Sequence, residues 1–208
     1  MSRSIAILLL CIPLLLFPMT SVAQQFSVST NLMGWADLGT ANLEAGTAVA
    51  RHVSLHAGFR YNPWSFRFVP PEAIDALVAG PVPAAIDEFE QQDQFQNRKR
   101  AAYAGLRWWP WHIYSGWWLG ARGQWMEYNR GGILSRSTEE GEAVGAGLSA
   151  GYTRMLHRNW NIEFGIGVWG GTTRYTTYAC PTCGTVTDNG KKVFILPDDV
   201  MVSLIYIF

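Results

Sequence analysis

After its first 23 residues the chain has no apolar run approaching the roughly 20 residues of a membrane-spanning helix. Neither sign of charge is in excess, because 16 Lys and Arg balance 16 Asp and Glu. A nucleic-acid partner, which requires a basic surface, is therefore not expected. Cysteine is also scarce, with three residues in all.

The first 23 residues have the pattern of a secretion signal. Arg3 supplies a short positive end, residues 5–17 form an apolar core, and the Ser-Val-Ala of residues 21–23 is a small-x-small cleavage site. Cys11 lies inside the apolar core, so we favour a discarded core residue over a lipid-attachment cysteine. We expect removal of the signal peptide after residue 23 to leave one domain of about 185 residues.

Aromatic residues and glycine are abundant, with 10 Trp, 8 Tyr, 10 Phe and 21 Gly. Aromatic rings at both water interfaces and small residues inside are typical of a small membrane barrel. A secreted β-sandwich with a Trp-rich core is the alternative, since its strands also alternate.

Eight stretches alternate apolar with small or polar residues, which is the period of a strand with two different faces. Only helices and closed barrels satisfy every backbone hydrogen bond inside lipid. The pattern therefore predicts an all-β fold, an eight-stranded antiparallel transmembrane β-barrel. The predicted strands are 26–35, 43–50, 53–61, 101–109, 116–128, 144–153, 160–168 and 200–208.

The predicted connections alternate in length, apart from a short one at 37–42. Transmembrane barrels have short periplasmic turns and longer extracellular loops, and a sandwich has no reason to sort its loops in this way. The short connections are 51–52, 110–115 and 157–159, and the long ones are 65–100, 129–142 and 171–198. This order favours the barrel, with its amino terminus in the periplasm.

Tryptophans are expected to form two girdles at the membrane interfaces. The periplasmic girdle comprises Trp108, Trp117 and Trp160, and the outer girdle comprises Trp35, Trp64, Trp125 and Trp169. At the carboxyl terminus, Leu204, Tyr206 and Phe208 share one face and resemble the insertion signal of bacterial outer-membrane barrels, so the barrel-insertion machinery is an expected partner.

Several short motifs occur in one order along most of the mature chain: Asn31-Leu32, Tyr61-Asn62-Pro63-Trp64, Arg107-Trp108-Trp109, Tyr128-Asn129-Arg130-Gly131-Gly132, Gly151-Tyr152, Trp160-Asn161-Ile162-Glu163, Cys183-Gly184 and Val202-Ser203-Leu204-Ile205-Tyr206-Ile207. In these motifs the chain resembles a Bacteroidota family of small outer-membrane barrels, domain of unknown function 3575. The resemblance implies an outer-membrane location and a barrel fold, and it carries no activity onto individual residues.

Eight strands enclose an interior just wide enough for side chains or one small ligand, so an open diffusion pore is disfavoured. Charged residues of both signs are predicted to face inward: Glu44, Arg60, Arg107, Arg122 and Glu163. Because breaking one buried ion pair costs about 3 to 5 kcal/mol, we favour a salt-bridged plug. A narrow ion path or binding pocket is the alternative.

Two small motifs invite a chemical interpretation. Cys180 and Cys183 are expected to form a disulfide in an oxidising exterior. A redox pair or half a zinc site has the same spacing, but no further metal ligands adjoin it, so no metal or cofactor is predicted. Ser54 and His56 share a strand face, with a spacing like that of serine and histidine pairs in lipid-modifying barrel esterases. No carboxylate is evident beside them, and no catalytic residue is predicted.

Residues 65–100 contain two short amphipathic segments, 72–78 and 83–89, each with Pro near a helix start. Loops of such length are usually functional or disordered, so a surface protein partner is expected here. The sequence thus predicts an outer-membrane barrel in contact with outer-membrane lipid, with a structural, adhesive or partner-binding role through its outer loops and no catalysis. The alternatives are a lipid-modifying hydrolase and a narrow small-solute or ion channel.

Overall fold

The computed structural model describes residues 26–67, 94–131, 137–180 and 184–208, and most of them lie in strands. Within these ranges the elements are β1 (Phe26–Asn31), α1 (Leu32–Ala36), β2 (Ala41–Ala50), β3 (Val53–Asn62), β4 (Ser65–Arg67), β5 (Gln94–Trp108), β6 (Gly116–Gly131), β7 (Thr138–Met155), β8 (Trp160–Tyr178) and β9 (Val186–Ile207).

Eight of the nine strands form a closed antiparallel ring. Strands β1, β2 and β3 pair in sequence, as do β5 to β9. The ring closes because β3 pairs with β5 from Val53↔Trp108 onward, and β9 pairs with β1 from Ser27↔Ile207 onward. The short β4 pairs with β5 beyond the end of β3. The predicted all-β antiparallel fold is therefore confirmed, with β4 as an additional strand.

Side chains alternate between a buried inner face and an exposed outer face, as the sequence period predicts. On the inner face, Ser54 is 0% exposed and Glu163 is 1% exposed. On the outer face, Leu148 is 66% and Ile166 is 67% exposed although both are large and apolar. The interior of the ring, rather than a second sheet, is what covers the polar residues.

The ring has two unlike ends. At the turn end, the chain reverses through residues 51–52, 109–115 and 156–159. At the extended end, strands β5 to β9 continue well past β1 and β2. The predicted long loops 129–142 and 171–198 are thus largely wrong: residues 138–142, 171–178 and 186–198 are strand. Most residues on both faces are polar there, and the apolar residues 193–196 of β9 are consecutive, so the hydrophobic alternation that identified the strands is missing although the backbone pairing continues.

The first predicted strand, 26–35, is also too long. Residues 32–36 instead form the helical turn α1, because the Asn31 side chain accepts a hydrogen bond from the Met33 amide (3.0 Å) and caps the turn. Leu38 and Gly39 then take positive φ values of 50° and 73°, which return the chain to β2.

An apolar plug fills the turn end. Trp109 and Tyr114, from the connection between β5 and β6, fold into the ring and meet the inward Trp118. Their rings are tilted, with centroids 5.8 Å apart for Trp109 and Tyr114 and 6.3 Å for Trp109 and Trp118. Met201, Ile205 and Ile207 of β9 complete the cluster. The predicted short connection at 110–115 is thus more than a turn, because it supplies a ring to the core of the molecule.

Candidate functional site inside the ring

The central layer of the interior is an ion network held by three strands. The Arg107 guanidinium on β5 donates from Nη2 to Glu44 Oε1 on β2 (2.8 Å) and from Nη1 to Glu163 Oε2 on β8 (3.1 Å). All three side chains are buried, and the guanidinium lies 4.3 Å from the centre of the Trp118 ring. Arginine suits this position because its planar fork can serve two carboxylates and a ring face at once.

The other two predicted charged residues join a second cluster around Tyr103. The guanidinium carbons of Arg60 and Arg122 lie 5.2 Å and 4.7 Å from the Tyr103 ring centre. This contact is the geometry of a cation–π interaction. The structure therefore divides the five predicted residues into an Arg107 bridge and an aromatic cluster above it.

Ser54, His56 and Glu44 form a hydrogen-bonded chain. Ser54 Oγ lies 2.7 Å from His56 Nε2, and His56 Nδ1 lies 3.0 Å from Glu44 Oε1. The expectation that no carboxylate lies beside the pair is therefore wrong. Glu44 reaches His56 diagonally across the hairpin, because Gly46 is the cross-strand partner of His56 and a Cβ there would come within 2.8 Å of the imidazole. This register could not be read from the spacing of Ser54 and His56 alone.

This chain has the order of a nucleophile, a base and an orienting acid, but not the surroundings of a working hydrolase. Trp109 Nε1 donates to Ser54 Oγ (2.8 Å), and Ser54 is fully buried. The cavity beside His56 and Arg107 measures about 20 Å³, which is room for a single water. An acyl substrate has no space to reach the hydroxyl in this arrangement.

A larger cavity, which we call the cup, lies inside the extended end. Its volume is about 220 Å³. Its apolar wall comprises Met126, Ala143, Trp169, Phe194 and Leu196, and the Trp169 and Phe194 rings meet edge to face with centroids 4.5 Å apart. Trp169 is buried, so its predicted place in the outer girdle is wrong. Trp169 lies an even number of positions from the inward Glu163 on the same strand, so this spacing could have predicted that it faces inward.

The polar side of the cup is organised by Glu139. This carboxylate accepts from Tyr128 Oη at 2.8 Å and from Arg130 Nη2 at 3.3 Å through Oε1, and from Lys192 Nζ at 2.9 Å through Oε2. Burial acts to raise the pKa of Glu139, but the hydrogen bonds from Lys192 and Tyr128 prevail and place that pKa below its ordinary value. Glu139 therefore stays ionised and holds two cations at the cavity.

The remaining predicted residues lie as follows. Leu204, Tyr206 and Phe208 face outward, and Tyr206 stacks edge to face on Trp160 (5.0 Å) and on Phe208 (4.8 Å). Cys183 lies outside the described residues, so the disulfide to Cys180 remains a prediction. The signal peptide and residues 68–93 of the long predicted loop also lie outside them, whereas 94–100 belong to β5.

Within the described ranges, no helix is long and apolar enough to cross a membrane. No group of three or more His, Cys, Asp or Glu side chains in the same ranges could hold a metal ion.

The described strands place the chain among all-β proteins, with a closed antiparallel ring whose interior is filled and ion-paired. The chain belongs to the family described as protein of unknown function DUF3575, whose model matches residues 7–208. The predicted family is thereby confirmed. No curated protein matches the chain.

Proposed function

We propose that the chain is an outer-membrane β-barrel that is plugged on its periplasmic side, has no catalytic activity, and binds a partner at its extended, cell-surface end. The observation that carries this proposal is the belt of exposed apolar side chains around the ring. Large residues such as Leu106, Leu148, Phe164, Ile166 and Val200 face outward on neighbouring strands. Water would make such a belt costly, whereas hydrocarbon covers it without penalty.

The belt has the height that a bilayer requires, and a row of charged residues borders it. On β7 the outward residues from Val144 to Tyr152 are apolar or small, and this span of nine residues fits the roughly 9–11 of a tilted transmembrane strand. Beyond it the outward residues become charged in one continuous row across β5 to β9: Arg100, Glu127, Glu142, Arg174 and Lys191. Trp108, Trp117 and Trp160 are exposed at the opposite boundary.

The filled interior supports a binding or structural role over conduction. The plug around Trp118 and the Arg107 bridge occupy consecutive levels of the ring. A channel would need these groups to move apart, which breaks buried ion pairs at about 3 to 5 kcal/mol each. We therefore expect planar-bilayer recordings to show no stepwise conductance that changes with Arg107.

A lipid-modifying hydrolase is the second candidate, and the Ser54–His56–Glu44 chain is the observation that favours it. Its burial and the donation from Trp109 speak against it, since the hydroxyl oxygen is already engaged. Loss of a lipid A or phospholipid modification in Ser54→Ala cells would establish this candidate and overturn the non-catalytic proposal.

The membrane proposal is tested with the purified protein by two measurements. Unboiled protein should migrate differently from boiled protein on a detergent gel, as closed barrels commonly do. In bilayers, brominated acyl chains should quench tryptophan fluorescence, because Trp117 and Trp160 are exposed on the outward face. A polypeptide that stays monodisperse in buffer without amphiphile would contradict the proposal.

A further inference from the structure

We propose that the cup inside the extended end binds a small amphipathic carboxylate, with its apolar part on the Trp169–Phe194 wall and its carboxylate among Lys99, Arg130 and Lys192. The inference deepens the proposed function, because it names the class of ligand for the same end of the molecule. Binding itself depends only on the folded ring and not on its place in a membrane.

The apolar wall combines two buried residues with three that are partly exposed to solvent and can contact a ligand. Ala143 and Trp169 are almost fully buried, and the edge-to-face contact with Phe194 fixes the indole. Pockets for small molecules typically combine such an apolar lining with a few convergent polar groups. Ala143 and Trp169 both line the cavity, and the alanine side chain is too small to fill it.

The charge of the lining selects an anion. Every charged residue that lines the cup in the described part of the chain is basic: Arg98, Lys99, Arg130 and Lys192. Glu139 and Asp37 pair with these cations from outside the lining. An ammonium has three donors and a guanidinium five, so each cation keeps donors for a second carboxylate.

The rim is accessible from solvent. The Arg130 and Lys192 side chains are 60% and 41% exposed, whereas Ala143 and Trp169 of the apolar wall are buried. A volume of about 220 Å³ equals that of roughly seven molecules of liquid water at ~30 Å³ each, and covalently bonded atoms pack more closely than separate water molecules. This size fits a single ring or a short acyl chain bearing one carboxylate, and it is too small for a whole lipid or a peptide.

The experiment is isothermal titration of the purified protein in uncharged maltoside micelles with three probes of one shape. Phenylacetate, 2-phenylethanol and 2-phenylethylamine present an anion, a neutral group and a cation on the same ring. We expect phenylacetate to bind best, the alcohol about fivefold more weakly, as for loss of a partly exposed ion pair, and the amine most weakly. Equal affinities for the three probes, or no binding of phenylacetate, would overturn the proposal.

For Lys192 and Ala143, which line the cup, an adjacent residue on the same strand faces outward and supplies a matched control. Lys192→Gln should weaken phenylacetate about fivefold and leave the alcohol unchanged, whereas the outward Lys191→Gln should change neither. Ala143→Leu should abolish binding of all probes, whereas the outward Val144→Leu should not. An affinity for phenylacetate that is unchanged in both Lys192→Gln and Ala143→Leu would place the ligand elsewhere and refute the cup.

Folding of each variant is checked by the heat-dependent gel shift. A protein that shows the shift but does not bind phenylacetate refutes the cup and leaves the barrel proposal standing. A protein that binds phenylacetate and needs no amphiphile refutes the membrane location and leaves the cup standing.

Discussion

Inward and outward side chains alternate along the strands at both ends of the ring, but the interior is filled at the turn end and contains a cavity at the extended end. At the turn end, Trp109 and Tyr114 fold back into the ring and meet Trp118, so the interior is filled with rings and a buried ion bridge. At the extended end, the strands continue past their shorter neighbours, and the inward residues are separated by the cup. Closure of the turn end therefore depends on Trp109 and Tyr114, which the connection between β5 and β6 adds to the inward side chains of the strands.

The largest expected effect comes from the ion bridge near the turn end. Arg107→Met leaves the buried Glu44 and Glu163 without their shared cation, and we expect a loss of about 3 to 5 kcal/mol in the free energy of unfolding. Arg100→Met on the same strand removes an exposed pair with Glu127 and should cost much less, because water solvates both partners. Urea titrations in detergent measure the unfolding free energy of both variants. Equal losses would contradict the prediction that the buried bridge stabilises the fold more than an exposed ion pair does.

A charge in the middle of the apolar belt should have the next largest effect. Ile166→Arg on the outward face of β8 is expected to cost about 2 to 4 kcal/mol in a bilayer. Thr176→Arg, which lies on the same strand beyond the charged row, should be close to neutral. Unfolding titrations of bilayer-inserted protein test this, and a tolerated Ile166→Arg would show that this face does not meet hydrocarbon.

A smaller effect is expected from the hydroxyl beneath the plug. Ser54→Ala leaves the buried Trp109 indole N–H without its acceptor and should cost about 1 to 3 kcal/mol. The inward Ser149→Ala is the control, with a smaller expected loss. Thermal unfolding measures stability, and mass spectrometry of membrane lipids from the same cells should show no change in either variant.

The smallest effect is a pH response confined to the extended end. Because hydrogen bonds from Lys192 and Tyr128 outweigh burial and hold the pKa of Glu139 below its ordinary value, its contribution is complete above the unfolded pKa of about 4.5. That contribution is lost as pH falls through the lower folded value. Amide protection, measured as the observed exchange rate relative to the intrinsic rate at each pH, should therefore fall below about pH 4.5 in residues 138–142 and 186–192 but not around Trp118. Glu139→Gln should abolish this difference, and a uniform response of both ends would contradict it.

The sequence was informative wherever the outer and inner surfaces of the ring contrast in polarity. That contrast assigned Ser54, Glu163 and Leu148 to their correct faces, because large apolar and small or polar residues alternate there. It could not locate the strand ends at Tyr178 or Val186, since both faces are polar beyond the apolar belt. Thr172, Thr173 and Thr176, together with Tyr175, were the remaining signal there, because β-branched and aromatic residues favour strands.

The candidate sites were harder to predict because they depend on contacts across strands. Glu44 reaches His56 only through the register that sets Gly46 opposite the imidazole. Tyr114 enters the ring from a backbone with a φ of 61°, a conformation that no local pattern indicated. Trp169 shows that a residue's parity on its strand is a better guide to its facing than its chemical type.

The pairing of β1 with β9 joins segments that are more than 170 residues apart in the chain. Phe26 accepts from the Phe208 amide (2.9 Å), so the amino and carboxyl ends of the ring are bonded to one another. Such distant contacts form slowly, because the intervening chain must first be ordered. The ring therefore cannot close until β9 has been synthesised, and until then β1 presents an unpaired edge that a strand of another chain could join.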